Sequence, residues 1–228
     1  MPDSLSILNQ EIVSCKRCER LVTHCQKVGR EKRRAYMDWE YWAKPVPGFG
    51  DSNARVLLLG LAPGAHGSNR TGRPFTGDGS GNFLFPTLYK TGFASQPDAT
   101  RIGDGLKLHD AYITSVVRCA PPGNKPTNEE IATCSAFVDR ELSLLKKVRV
   151  VVALGKIGFD GYLDYLRRQG LITSRSAYPF GHGEKYLMPN GKWLLASYHP
   201  SLQNTLTGKL TQKMFVEIFR TARKLAEN

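Results

Sequence analysis

Four short apolar runs punctuate the chain, at residues 55–61, 111–117, 149–154 and 193–198. Each is rich in Val, Leu, Ile or aromatic side chains and is bounded by glycine or polar positions. Unbroken apolar runs of this length predict strands buried on both faces. Between them the apolar positions change to a helical spacing. Phe83, Leu84, Thr87, Leu88 and Thr91 predict a helix over 81–91. Residues 127–147 open on Thr127-Asn128-Glu129-Glu130, where Thr127 and Glu130 form a capping-box pattern. That helix continues through Ile131, Phe137, Val138, Leu142 and Leu145. A third helix over 156–170 closes on Gly170, a suitable C-cap residue, and a last one covers 210–225. Strands alternating with helices predict an α/β fold with a mostly parallel sheet covered on both faces. Residues 26–50 read as a long basic and aromatic excursion ending at the turn-prone Pro45-Val46-Pro47-Gly48. With no repeat and no low-complexity tract, 228 residues suit one domain, with residues 1–50 packed onto it.

Charge changes the picture more than composition does. The formal net charge is +12, and it is uneven. Residues 16–34 carry Lys16, Arg17, Arg20, Lys27, Arg30, Lys32, Arg33 and Arg34 against Glu19 and Glu31. The C-terminal stretch adds Lys209, Lys213, Arg220, Arg223 and Lys224. Such an excess attracts polyanions and points to nucleic acid as the partner. A solvated basic surface is the plainer alternative. No apolar run approaches the ~20 residues of a membrane span, so no membrane partner is expected. Met1-Pro2-Asp3-Ser4 lacks the basic-then-apolar pattern of a signal peptide. A cytoplasmic location is therefore expected, where cysteines stay reduced.

Reduced cysteines direct attention to metal. Cys15 and Cys18 form a C-x2-C pair in a basic stretch, and Cys119 and Cys134 form a second, distant pair. Four thiolates from two segments suit either zinc or an iron–sulfur cluster, and spacing alone does not separate them. Cys25 reads as a buried thiol or an alternative fourth ligand.

Ligands in open α/β sheets bind beyond the carboxyl ends of the strands. Here Ala62-Pro63-Gly64-Ala65-His66-Gly67 follows the first strand, and a loop from Arg118 to Pro126 follows the second. Gly155-Lys156 follows the third, and His199-Pro200-Ser201-Leu202-Gln203-Asn204 the fourth. The polar and glycine-rich chemistry gathers on one predicted rim.

These residues resemble a known family. Gly60-Leu61-Ala62-Pro63-Gly64 followed by Gly72-Arg73-Pro74-Phe75-Thr76-Gly77-Asp78 resembles the first motif of the iron–sulfur uracil-DNA glycosylases. His199-Pro200-Ser201 resembles their second motif, and the four cysteines look like their cluster ligands. Arg30-Glu31-Lys32-Arg33-Arg34-Ala35-Tyr36 and Asp38-Trp39-Glu40-Tyr41-Trp42 look like the family 5 (type b) subgroup. The resemblance covers nearly the whole chain. It implies a three-layer α/β/α fold around a central four-stranded parallel sheet, and a 4Fe-4S cluster on Cys15, Cys18, Cys119 and Cys134. It also implies a monofunctional DNA glycosylase of base excision repair, acting as a monomer and leaving an abasic site. Two departures bear on specificity. Leu61 stands where many relatives carry a polar residue for the attacking water, as in type b. Ser115 stands near the position of an asparagine that reads uracil in type a relatives. The resemblance therefore implies a broader range of deaminated bases, hypoxanthine included.

Hydrolysis of the base–sugar bond requires an extruded nucleotide. His199 is the candidate donor to the base carbonyl as it becomes anionic; its plainer role is to cap a loop. Asp78 is the candidate for holding water and countering sugar charge, or an N-cap for the helix that follows. Asn124 is a third polar candidate, or a turn residue beside Gly123. Phe75 is expected to stack on the extruded base, or to belong to the core. Gly60, Ala62 and Gly64 let backbone approach the base or phosphate. Leu202 and Gln203 are candidates for a minor-groove wedge, and Lys209, Lys213 and His66 for DNA contacts. A non-enzymatic nucleic-acid-binding module explains charge and cysteines equally well, but not the polar residues after several strands. A variant that traps uracil covalently is disfavoured because Ser68-Asn69-Arg70-Thr71 stands where its insertion lies. A dinucleotide-binding enzyme is disfavoured because the first strand–helix turn lacks G-x-G-x-x-G.

Overall fold

A computed structural model describes residues 3–227; Met1 and Pro2 of the leader reading lie outside the described residues. Two helices, α1 (Leu5–Ser14) and α2 (Glu19–Glu31), precede a short strand β1 (Phe49–Gly50) and the first central strand β2 (Val56–Gly60). After the one-turn α3 (Ser68–Thr71) and α4 (Gly79–Lys90) come β3 (Ala111–Ser115), α5 (Asn128–Leu144), β4 (Val150–Leu154) and α6 (Lys156–Arg168). The chain ends with β5 (Lys185–Leu187), β6 (Trp193–Ser197), α7 (Leu202–Leu206) and α8 (Gln212–Glu227).

The sheet runs β1-β3-β2-β4-β6-β5. Its four central strands are parallel, with Val56 opposite both Ala111 and Val150, and Val150 opposite Trp193. These are the four apolar runs of the sequence. The two edge strands are antiparallel additions that the apolar pattern does not announce. They are short, and β5 is half exposed, so neither carries a buried run. Alternate residues of each central strand serve opposite layers. Leu57, Leu59, Val151 and Leu194 join a core with α1, α5 and α6. Val56, Leu58, Val152 and Leu195 join a second core with α4 and α8. Burial on both faces is why the runs show no polar alternation.

The predicted capping box is present: Thr127 N–H donates to Glu130 Oε2 (2.7 Å) and Glu130 N–H donates to Thr127 Oγ1 (3.2 Å). Glu130 also receives both Nε and Nη2 of Arg20, each at 2.7 Å, tying α2 to α5. After α6, the Leu171 N–H donates to the Leu166 carbonyl and Gly170 takes φ +69°, a Schellman-type stop that only glycine adopts without strain. Beneath the sheet's edge lies a fully buried ion pair, Arg118–Glu141 (2.6 Å), with Thr114 and Tyr112 as further partners.

The excursion over 26–50 is more ordered than its composition suggests. Its first residues complete α2, which buries Leu21 and Cys25 and packs Val22 on the core, a short apolar face set in a basic stretch. The rest returns along the first motif, with Trp42 N–H donating to the Arg70 carbonyl (2.9 Å) and Ala43 N–H to that of Asn69 (3.0 Å). No helix among the described residues is long and apolar enough to cross a membrane.

Candidate active site

Parallel strands place their carboxyl ends on one rim, and the loops leaving β2 and β6 meet there. At the end of β2, Gly60 lies beneath the Phe75 ring; a Cβ on Gly60 would stand 3.1 Å from Phe75 Cζ. Phe75 itself takes φ +52°, a costly conformation for a bulky residue. It is locked by the close approach of its carbonyl to Gly81, where a side chain has no room. Its ring centroid lies 5.8 Å from that of His199, tilted by 31°. An aromatic face and an imidazole thus share one wall.

His199 follows β6 and is half-buried beside Phe75. Burial pushes its pKa down to about 4, so the ring is neutral at physiological pH. Its main chain is pinned by Asn204, whose amide donates to the His199 carbonyl (2.9 Å), and its Cβ packs on Gly155 at the start of α6. Ser201 caps α7 by accepting from Asn204 N–H. The His-Pro-Ser sequence therefore shapes a strand-to-helix turn that holds the ring still.

Asp78 fulfils one of its two expected roles visibly. It is the N-cap of α4, with Oδ1 accepting from Gly81 N–H (3.0 Å). Its carboxylate is packed against the turn after β2: a Cβ on Gly67 would lie 2.6 Å from Asp78 Cγ, and one on Gly64 2.8 Å from Oδ2. Burial raises its pKa, opposed by the N–H groups of Gly81 and Ser80 and by the charge of Arg70. The two glycines of the first motif are thus explained by the space this carboxylate needs.

The remaining candidates divide. Leu202 stands exposed over Gly79, one residue from Asp78, and Leu206 projects one turn later. Lys209 is exposed with its ammonium 4.8 Å from the Tyr198 ring. His66 Nδ1 pairs with Tyr41 OH (3.0 Å), so one ring nitrogen is already engaged. Ser115 Oγ donates to the Val117 carbonyl (2.8 Å), which uses its only proton. Ala62 is half-buried beside the sheet's α5–α6 layer. Asn124 is exposed at φ +57° in a single turn and lines a groove of about 1040 Å³ between α5 and α6.

The cysteines converge from three directions. Cys15 and Cys18 flank the turn between α1 and α2, Cys119 follows β3, and Cys134 lies on α5. Cys18 is raised by burial and then by the neighbouring Cys134, Glu130 and Cys15. Cys119 is held far above the ordinary range by its hydrogen bond with Cys25, by burial, and by Cys134 and Cys15. Cys25 accepts from Ala120 N–H (3.3 Å), anchoring the Cys119 loop on α2. Among the described residues no three metal-binding side chains close on a single-ion site.

Arg70 escaped the sequence reading. Its side chain is buried, with the guanidinium against the rings of Tyr36 and Trp39.

A parallel α/β sheet with a half-buried carboxylate, a neutral imidazole and an aromatic wall on its carboxyl rim defines a class of protein. A family model described as the uracil DNA glycosylase superfamily matches residues 47–223. The chain is 53% identical over 217 residues to a type-5 uracil-DNA glycosylase of Thermus thermophilus, covering 95% of this chain and 96% of the relative. It is 44% identical over 211 residues to a type-5 uracil-DNA glycosylase of Pyrobaculum aerophilum, covering 92% and 88%. Against a type-4 uracil-DNA glycosylase of Archaeoglobus fulgidus the identity falls to 30% over 202 residues, covering 87% and 82%. The chain belongs to the uracil-DNA glycosylase superfamily and, within it, to the type-5 family.

Proposed function

We propose that this protein is a monofunctional DNA glycosylase that hydrolyses the bond between uracil and deoxyribose in DNA. Other deaminated bases, hypoxanthine among them, belong to its range, and the product is an abasic site for base excision repair. The observation that carries the reading is the Phe75 ring 5.8 Å from that of His199, with Asp78, three residues after Phe75, held at the start of α4 against Gly64 and Gly67.

The nucleotide is extruded before reaction, since the bond is shielded in the duplex. Phe75 stacks on the base, a contact that accepts any base with a π-face. Gly60 leaves room for that ring. As the bond breaks, negative charge grows on the base and positive charge on the sugar. His199 donates to the base carbonyl oxygen from its neutral form, so the site holds no fixed imidazolium before the anion appears. A preorganised donor of this kind contributes about 3–4 kcal/mol. Asp78 orients the attacking water, takes up its proton and opposes the sugar charge. Its Oδ1 is held by the α4 cap, and its Oδ2 lies against the Gly64–Gly67 turn. Ser115 cannot offer its proton to a base while Val117 holds it, which fits a relaxed choice of base. Leu202 fills the stack the base has left.

Cys15, Cys18, Cys119 and Cys134 are proposed to hold a 4Fe-4S cluster. Cys18 neighbours Cys15 and Cys134, and Cys119 neighbours the same two, so the four thiols come from the α1–α2 turn, the loop after β3 and α5 toward one place; four thiol donors suit a cluster, with zinc as the alternative the metal analysis separates. When bound, the cluster supplies a cross-link rather than chemistry at the base. It ties the α1–α2 turn to α5 and the loop after β3. Iron and sulfide analysis of anaerobically purified protein tests this; stoichiometric zinc with no sulfide overturns it.

The function is tested by base release from duplexes carrying uracil or hypoxanthine, with D78N and H199A beside the wild type. Release of both bases, with losses of 100-fold or more in each variant, is the expected order of magnitude. No release of either base by iron-loaded wild type sinks the reading.

A further inference from the structure

We infer that Arg70, clamped between Tyr36 and Trp39, is the positioning residue for Asp78. The inference rests on the assignment of Asp78 above. Two arginines, Arg70 on α3 and Arg73 just after it, are treated differently. Arg73 is neutralised by Asp104 in a two-pronged ion pair, with contacts of 2.8 and 2.6 Å. Arg70 is equally buried but has no such partner. Its Nε donates to the His66 carbonyl (2.8 Å) and its Nη2 to the Gly77 carbonyl (2.7 Å). Its Cζ lies 3.9 Å from the Tyr36 ring centroid and 4.0 Å from that of Trp39. Its partners are carbonyls and rings, not carboxylates.

A buried cation without a counter-charge is expensive. The nearby anion is Asp78, the residue directly after Gly77. The two carbonyls that Arg70 grips also bracket the carboxylate. His66 begins the turn whose Gly67 packs on Asp78, and Gly77 precedes Asp78 itself. One rigid fork therefore sets the distance between the two limbs that enclose the catalytic carboxylate. The rings hold the fork without neutralising it, because cation–π attraction leaves the net charge intact.

Asp78 is faced by few other groups able to influence its charge. The start of α4 offers the N–H groups of Ser80 and Gly81, and α7 offers Leu202 over Gly79. The turn after β2 offers His66, kept toward its neutral form by burial and by Arg33 and Arg70. Arg70 is the charged side chain that acts on the carboxylate, and it favours the ionised form that burial opposes.

The test is a carbon-13 carboxyl NMR titration of the iron-loaded protein with labelled aspartate, the Asp78 resonance being assigned with D78N. R70Q removes the charge while keeping amide donors; R70K keeps the charge and loses the fork. R70Q is expected to titrate Asp78 at higher pH than wild type, and R70K close to it. In single-turnover base release, R70Q then shifts the acid limb upward and R70K scales the rate down by roughly 10- to 100-fold at every pH. A merely structural arginine would scale both variants alike and leave the Asp78 midpoint in place, and that result overturns the inference. R70M, which removes the charge while keeping an unbranched side chain against the rings, covers a failure of R70Q to fold: a raised midpoint supports the inference, an unchanged one overturns it. The titration reads the free protein, so failure of wild type to release any base counts against the glycosylase reading alone.

Discussion

The glycines beside Asp78 permit a graded test of its role without touching the carboxylate. A methyl group on Gly67 would stand 2.6 Å from Asp78 Cγ and 2.8 Å from its Cβ, where ordinary contact begins near 3.4 Å. The carboxylate must withdraw by roughly 1 Å, a misplacement that costs on the order of 100-fold in rate at a reacting group. On Gly64 the same methyl would meet only Oδ2 at 2.8 Å, with Cγ at 4.0 Å, so a smaller rotation relieves it. The expected loss for G64A is roughly 10-fold. Both variants keep Leu202, His199 and the basic surface, so affinity for an abasic-site duplex should stay within about threefold of wild type. Overpacking costs about 1–3 kcal/mol of stability, so rates are read well below the melting transition. The assay is single-turnover uracil release with enzyme in excess, run for wild type, G64A, G67A and D78N. The expected order is wild type above G64A, above G67A, with D78N lowest. Wild-type rates in G67A, or a larger loss in G64A than in G67A, would refute the placement of Asp78 as the water-holding group.

Three further expectations follow from burial and charge. The His199 pKa falls from 6.5 to about 4 on folding, so the unfolded chain binds the proton more readily between these values. Its stabilisation is complete above pH 6.5 and is lost as pH falls toward 4, by about 3 kcal/mol; His66 and His182 are lowered too and add in the same direction. Urea midpoints from pH 7 to 4 should therefore drop more steeply in wild type than in H199Q, and equal slopes would contradict the neutral ring. E141Q leaves Arg118 charged and uncompensated in the interior, costing about 3–5 kcal/mol in equilibrium unfolding; a loss below about 1 kcal/mol would mean the site relaxes or admits water. L202A should slow uracil release from duplex DNA by roughly 10-fold while leaving single-stranded substrate nearly unaffected, and equal losses on both would remove the wedge role.

Much of this protein was legible in its sequence because the relevant signals are local. Four runs of continuous apolar residues can hardly be anything but two-sided strands, and all four lie within the parallel part of the sheet. The capping box at Thr127 and the stop at Gly170 are contacts within one turn of chain, so residue types suffice to place them. Parallel strands put the loops after β2 and β6 on one rim, but that Phe75 meets His199 there depends on the path of the chain beyond α3. The edge strands β1 and β5 were not legible, because a short exposed strand borrows its conformation from the neighbour it pairs with. Residues 26–50 were legible only as basic and aromatic. What they do depends on a return path along the first motif, where Tyr36 and Trp39 find Arg70, Tyr41 finds His66 and Trp42 finds Gly72. Only the tertiary structure decided that Arg70 faces inward rather than toward DNA, that Ser115 spends its proton on Val117, and that His199 is neutral. A side chain's direction, its partners and its pKa depend on groups brought together from distant parts of the chain, and linear spacing carries no record of those distances.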